Sequence, residues 1–546
     1  MSAYQPPGFS APIDLDLSKN EGRPSIDNLD MDRAAAALLT SRYPDFTRLS
    51  GQVAARHALP VERVLVTAGG DDALFRCFLR CNGPVVATTP SFEMIARYSE
   101  QLGLELIEVP WWDGDFPVAA IVDTPAEMAI LVSPNNPTGS VLTAADLCKV
   151  ADGVPFVVLD GAYMDFADED LTKVALELDN VVVVRTLSKA FGLAGLRVGY
   201  ALGPPSLIAE LGGYGSPYSL SALSSALAAD VLEKNPEHAE RFAALIVDER
   251  TRLADALADL GVGSLPSQGN FVLATGVDAE WFTSAAASLG IALRRFPDRP
   301  ELAGCVRITL PGDPDDFDRL EHVLRTVVEP EALLFDMDGV LADVSDSFRA
   351  AIVATAAGYG VTVTPDQIAA AKAAGNASDD WELTRGLLAA VGVEATYEEV
   401  RDSFESIYQG TSGQPGLKMG ESLLPDRELL ERLSQRWPLG IVTARPRKDA
   451  EEFLDRFGIR GLFHVVVTRE DAPSKPDPAP VRLALERLGV DRAWLAGDTR
   501  DDLEAARAAS VLPIAVAVPG DDLEAVTAAA RVLASIQEIT EVLDVS

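Results

Sequence analysis

Residues 180–200, NVVVVRTLSKAFGLAGLRVGY, carry a run of four valines that ends in a polar, glycine-containing turn. An unbroken β-branched run is what a strand buried on both faces of a parallel sheet requires. VERVLVTAGG (61–70), EMAILVSPNNPTG (127–139) and VPFVVLDGAY (154–163) repeat the pattern. Ligands of open α/β sheets gather at the carboxyl ends of the strands, where these turns lie. Lys189 stands just past the valine run, in a chain with 46 basic against 83 acidic side chains. A lysine amine can form a Schiff base with a carbonyl group. Thr186, Ser188 and Arg197 add two hydroxyls and a planar cation suited to a phosphate. The plainer alternative is a surface lysine beside two capping hydroxyls. Asp160 ends the run 154–160, where a carboxylate either needs a cationic partner or caps a helix. Tyr163 is three residues on, within reach of the same ligand. Asn135, Asn136, Pro137, Thr138 and Gly139 form a tight turn whose amide side chains could donate to a phenolate oxygen.

Beyond these strands, residues 218–260 turn Ala/Leu-rich and helical. Shorter strands follow at 269–276, 291–296 and 305–310, and then a helix over 313–328, as in a smaller α+β domain. Pro330 marks a junction with almost no linker. The stretch PEALLFDMDGVLAD (330–343) begins a second set of strands, continued by LGIVTARP (439–446), HVVVT (464–468), RAWLAGDT (492–499) and VLPIAVAV (511–518). Residues 345–425 lack such runs and read as an inserted helical cap. Asp336 and Asp338 leave a strand two residues apart, so both carboxylates can face one pocket. One can attack phosphorus while the other transfers a proton, and a divalent cation with oxygen ligands would relieve their repulsion. An acidic turn is the plainer alternative. Thr443 after a strand, Lys475 in SKPDP, and Asp498 and Asp502 in AGDTRDDLEAA complete the set; Asp501 reads as solvated or capping.

A net charge of −37 over 546 residues disfavours nonspecific nucleic-acid binding, which needs a basic surface. No apolar run is long enough to span a bilayer, and the N-terminus lacks the basic-then-apolar pattern of a secretory signal. The expectation is a cytoplasmic protein without membrane or nucleic-acid partners. Four cysteines in such a chain do not form a disulfide framework, and Cys77 and Cys81 read as ordinary buried thiols.

SPNNPTG, VVLDGAY and TLSKAFGLAGLRVGY, in this order, resemble the pyridoxal-phosphate (PLP) aminotransferases of fold type I, and within them the histidinol-phosphate aminotransferases. The resemblance implies an aminotransferase over residues 1–328. Its large α/β domain would span about 41–229, and its small α+β domain 1–40 and 230–328. It implies that Lys189 binds PLP covalently and shuttles the proton, that Asp160 pairs with the pyridine nitrogen, and that Asn136 and Tyr163 hold the ring oxygen. Thr186, Ser188, Arg197, Gly70 and Asp71 would surround the cofactor phosphate, and Phe92 would stack on the ring. Tyr43 would reach the phosphate of a neighbouring subunit, which implies a homodimer. Arg307 and Arg294 would hold the substrate's carboxylate or phosphate, with Arg295 competing for the second role. Departures are Asp72 where the family has Glu, LSKNEGRPS without the usual Asn-Pro ending, and LPGDPDD after Arg307. They bear on the substrate rather than on PLP.

The second set resembles the haloacid dehalogenase superfamily with a helical cap, covering residues 331–546 with the cap at about 345–425. It implies that Asp336 forms an aspartyl-phosphate, that Asp338 is the acid and then the base, and that Thr443 and Lys475 bind the phosphoryl group. Magnesium would be held by Asp336, the Asp338 backbone carbonyl and Asp498, with Asp502 in support. Both activities on small molecules suggest transamination of imidazole-acetol phosphate with glutamate, then hydrolysis of histidinol phosphate. The alternatives are other substrates for both halves, or one half acting as a non-catalytic module.

Overall fold

The computed structural model describes residues 8–23, 39–373, 379–517 and 528–545. Residues 1–7 and 24–38 of the expected 1–40 segment lie outside the described residues. So do 374–378 of the expected cap and Val518 at the end of the expected strand 511–518. Two compact units are formed: Leu17–Ala279 with Leu293–Asp318, and Met1–Asp16 with Glu280–Ala292 and Arg319–Ser546.

The first unit is built on seven strands: β1 (Val64–Thr67), β2 (Val85–Thr89), β3 (Leu106–Pro110), β4 (Met128–Val132), β5 (Phe156–Asp160), β6 (Val181–Thr186) and β7 (Gly199–Leu202). Their order is β1-β7-β6-β5-β4-β2-β3. All neighbours are parallel except β7, which runs antiparallel to both β1 and β6. The valines of β6 are buried throughout, as the continuous apolar run requires. Alternate residues Val182 and Val184 join Val158, Ile130 and Ala87 in a core closed by Ala73, Leu74, Cys77 and Phe78 of helix Gly70–Arg80. Cys77 and Cys81 are buried free thiols, and burial pushes Cys77 up to about 12. A three-stranded antiparallel sheet pairs Phe271–Thr275 with Cys305–Thr309 on one side and Gly263–Ser264 on the other. The strand expected over 291–296 is shorter: Ile291–Ala292 pairs with Leu15–Asp16 in the second unit, and Arg294 keeps only a bridge to Arg307 in the first.

The second unit holds a six-stranded parallel sheet of β8 (Ala332–Phe335), β9 (Leu439–Val442), β10 (Phe463–Val467), β11 (Ala493–Gly497), β12 (Leu512–Val516) and β13 (Arg531–Leu533). The order is β10-β9-β8-β11-β12-β13. β8 is central, so the loop after it opens at the middle of the sheet. That loop leads through Ala342–Asp343, paired antiparallel with Ser422–Leu423, into helices Phe348–Gly358, Pro365–Ala373, Asp380–Ala390 and Tyr397–Gln409. These helices share their own core around Ile352, Leu388, Val400 and Phe404. Trp494 of β11 packs on Trp281 with ring centroids 5.2 Å apart and donates from Nε1 to the Thr326 carbonyl at 2.6 Å. The parts of helices Ala279–Ser288 and Pro314–Val328 that belong to this unit therefore pack with its sheet.

Gly199 fixes the meeting of β7 with the turn after β1. A Cβ at Gly199 would lie 2.3 Å from the Gly69 carbonyl carbon and 2.5 Å from the Gly70 nitrogen, both backbone atoms. Gly199→Ala is expected to destabilise the first unit by about 1–3 kcal/mol, the usual cost of overpacking. A thermal melt unchanged from the wild type would contradict this.

Candidate functional site

Two clusters of charged and hydroxyl side chains lie at the carboxyl ends of the two central sheets. In the first, Lys189 follows β6 and its Nζ donates to the Lys19 carbonyl at 3.3 Å, 5.8 Å from the centre of the Tyr163 ring. Asp160, the last residue of β5, is buried. Its carboxylate accepts the Ala162 N–H at 3.1 Å, and burial pushes it up to about 6 despite that bond and the nearby Lys189. Asn20 donates from Nδ2 to the Tyr163 hydroxyl at 3.0 Å and accepts from Thr309 at 2.6 Å.

The hydroxyls of Thr186 and Ser188 are 2.9 Å apart. Gly70 opens the helix Gly70–Arg80, and a Cβ there would touch Thr186 Cβ at 3.7 Å. Arg197, in the left-handed region at φ 54°, donates to Asp71 at 3.2 Å, and its guanidinium lies 3.0 Å from where a Gly69 Cβ would be. Antiparallel β7 thus returns Arg197 to the open N–H groups of a helix start, beside two hydroxyls. This is an arrangement for a phosphate. Arg307 is buried, donating to Asn136 Oδ1 at 2.6 Å and to the Ser18 carbonyl at 2.8 Å. Arg294 pairs with Glu93 at 3.6 Å and is bonded through its backbone to Arg307, whereas Arg295 is exposed. Phe92 packs on the edge of the sheet core. Tyr43 is 79% exposed and stacks on Tyr218.

In the second cluster Asp336 follows β8 and Lys475 Nζ donates to its Oδ1 at 2.7 Å and to the Val442 carbonyl at 3.1 Å, and forms an ion pair with Asp502. Burial pushes Asp336 well up against the pull of Lys475. Lys475 is lowered by burial but held above its usual value by the two carboxylates. One oxygen each of Asp336, Asp498 and Asp502 lie within 4.8 Å of one another, an all-oxygen set that fits a hard divalent cation. Asp502 also closes a capping box with Thr499. Asp501, expected as solvated or capping, is buried instead, and Thr499 and Asp502 do the capping. Thr443 follows β9, buried, its hydroxyl accepting the Arg445 N–H at 3.1 Å. Asp338 is gripped by Arg445, with Nε to Oδ1 at 2.7 Å and a second bond from Nη2 to the same oxygen.

Residues 23–324 match the family model for class I and II aminotransferases. The chain belongs to this family. Residues 333–516 match the model for haloacid dehalogenase-like hydrolases, so a C-terminal domain of that kind follows the aminotransferase. A histidinol-phosphate aminotransferase of Methylibium petroleiphilum is 33% identical over 347 residues, 60% of this chain and 92% of that protein. An imidazoleglycerol-phosphate dehydratase of Phytophthora nicotianae is 46% identical over 197 residues; the match spans 35% of this chain and only 44% of that protein. Among solved structures, the histidinol-phosphate aminotransferase from Sinorhizobium meliloti in complex with pyridoxal-5'-phosphate superposes with a TM-score of 0.50 at 25% identity. It covers 58% of this chain and 91% of its own. No helix among the described residues is long and apolar enough to cross a membrane.

Sequence reading misses three side chains of this aminotransferase–hydrolase: Asn20, Glu421 and Arg445. Arg445 could have been found, because an arginine in the apolar stretch IVTARP stands out where cations are scarce. Asn20 and Glu421 carry no such signal.

Asp160 makes the stability of the cofactor-free protein depend on pH. Unfolded, it titrates near 3.8; folded, near 6. As pH rises through this window, folding must hold a buried carboxylate ionised, which costs up to about 3 kcal/mol above it. The stabilisation of cofactor-free protein by Asp160→Asn is therefore expected to grow from about pH 4 to about pH 7 and then level off. Denaturant titrations across that range check it, and a gain independent of pH would contradict it.

Proposed function

We propose that this chain catalyses two consecutive steps of histidine biosynthesis, transamination of imidazole-acetol phosphate with glutamate and hydrolysis of the resulting histidinol phosphate. The observation that supports it is the presence on one chain of two charged clusters, Lys189 with Asp160 and Asp336 with Lys475 and Asp502. The names of the Methylibium and Phytophthora relatives support the pathway.

PLP, when bound, supplies an electron sink for charge developing on the substrate carbon. Lys189 would hold its carbonyl carbon and then carry the proton to and from the substrate α carbon. Asp160 would keep the ring nitrogen protonated, and a cation there would relieve its own buried charge. Asn136 and Tyr163 would hold the ring oxygen, with Asn20 orienting the Tyr163 hydroxyl. Thr186, Ser188, Arg197 and the Gly70 and Asp71 amides would hold the phosphate, and Phe92 would cover the ring. Arg307 and Arg294 would take the substrate's anionic groups. A homodimer, in which exposed Tyr43 reaches a partner's cofactor phosphate, and a cytoplasmic location belong to this reading.

In the second domain an Asp336 oxygen would attack phosphorus, breaking the ester P–O bond while Asp338 protonates the departing alcohol oxygen. Asp338 would then take a proton from water, which attacks phosphorus and frees phosphate and Asp336. Thr443 and Lys475 would hold the phosphoryl oxygens. Magnesium, held by Asp336, the Asp338 carbonyl and Asp498 with Asp502 in support, would neutralise charge on the phosphoryl group.

Incubation with imidazole-acetol phosphate and glutamate should yield histidinol and free phosphate. Lys189→Ala should abolish transamination and the borohydride-reducible chromophore while still releasing phosphate from added histidinol phosphate. Asp336→Asn should stop the sequence at histidinol phosphate. Release of phosphate only from unrelated esters would refute the substrate assignment.

A further inference from the structure

The two linker strands that tie the helical cap to the six-stranded sheet converge on one buried carboxylate. Glu421 immediately precedes Ser422–Leu423, and Ser347 precedes the first cap helix. Glu421 Oε1 accepts from the Ser347 hydroxyl at 2.9 Å and from the Tyr408 hydroxyl, on the last cap helix, at 3.0 Å. Arg445 is the cation that answers this carboxylate. Its Nη1 donates to Glu421 Oε2 at 3.0 Å and its Nη2 to Oε1 at 3.3 Å. The other edge of the same guanidinium, Nε with Nη2, holds Asp338 Oδ1. Arg445 and Glu421 side chains are 1% and 2% exposed, while that of Asp338 is 27% exposed. The ring centres of Phe348 and Phe453 lie 4.9 and 5.3 Å from the guanidinium carbon.

A planar guanidinium with both edges occupied transmits orientation, because turning it toward one carboxylate turns it away from the other. Asp338 alone could rotate about its side-chain bonds. With Oδ1 held, its second oxygen is the one left to face a substrate. The cap's two linkers are tied to the same guanidinium through Glu421.

We propose that Arg445 is a positioning residue for the phosphatase: it orients Asp338 toward the leaving-group oxygen and makes that orientation depend on the cap hinge through Glu421. The proposal rests on the phosphatase reading above, in which Asp338 gives a proton to the departing alcohol. It assigns Arg445 no contact with substrate and no proton of its own.

Leaving-group dependence separates this role from simple support of the fold. An alkyl alcohol departs from phosphorus only when protonated, whereas nitrophenolate departs unaided. The full-length protein with magnesium is assayed on p-nitrophenyl phosphate and on whichever primary alkyl phosphate the wild type hydrolyses fastest, histidinol phosphate heading the panel. In Arg445→Met, kcat/KM for the alkyl ester should fall about a hundredfold or more, the scale of positioned acid catalysis. That for p-nitrophenyl phosphate should fall less than about fivefold. Arg445→Met strands the buried Glu421, so the double variant Arg445→Met/Glu421→Met is made alongside it; an apolar replacement of a buried ion pair is often tolerated. It should show the same split. Transamination by the first domain reports that the rest of the chain is folded. Equal losses on both esters in the double variant, or retention of alkyl-ester hydrolysis, would overturn the proposal while leaving the phosphatase reading in place. A wild type inert to both esters would remove that reading and this proposal with it.

Discussion

A carboxylate at the end of a buried parallel strand must be answered by a positive charge, and both halves of this chain are organised around that need. Asp160 ends β5 and Asp336 follows β8, each buried where strands on both sides exclude water. The second site supplies its own answer: Lys475 bridges Asp336 and Asp502. The first does so only in part, since one backbone N–H and the neighbourhood of Lys189 leave Asp160 pushed up to about 6. An isolated buried charge is costly enough that such a site favours a ligand bearing a cation. One sheet thus carries carboxylates bridged by a lysine, and the other a charge for a cofactor to complete.

Strand direction then decides which groups meet. In the first unit, antiparallel β7 brings Arg197 back across β1, so that the Gly69–Gly70 turn, Thr186 and Arg197 share one corner. The closeness of that crossing is what leaves no room for a side chain at Gly199. In the second unit the central position of β8 lets neighbours on both sides contribute, Thr443 from β9 and Asp498 from β11. The cap is inserted just beyond the Asp336–Asp338 loop, so any shift of its two linkers is felt next to Asp338.

The buried strands were legible in the residues alone, because continuous β-branched runs such as Val181–Val184 suit a strand covered on both faces. So were the polar residues at their ends, since a lysine or carboxylate directly after such a run is forced to the sheet's edge. Lys189, Asp160, Asp336 and Thr443 were legible for that reason. The different surroundings of Arg294, paired with Glu93, and exposed Arg295 were not, because adjacent arginines differ only in which way the local backbone faces. Nor was the short strand Ile291–Ala292, whose pairing partner Leu15–Asp16 lies far away in the chain. The links between distant segments came from folding alone: Asn20 on Tyr163, Arg307 on Asn136, and Arg445 between Asp338 and Glu421. Each is a hydrogen bond between side chains from 24 to 171 residues apart, and no local periodicity records such a contact.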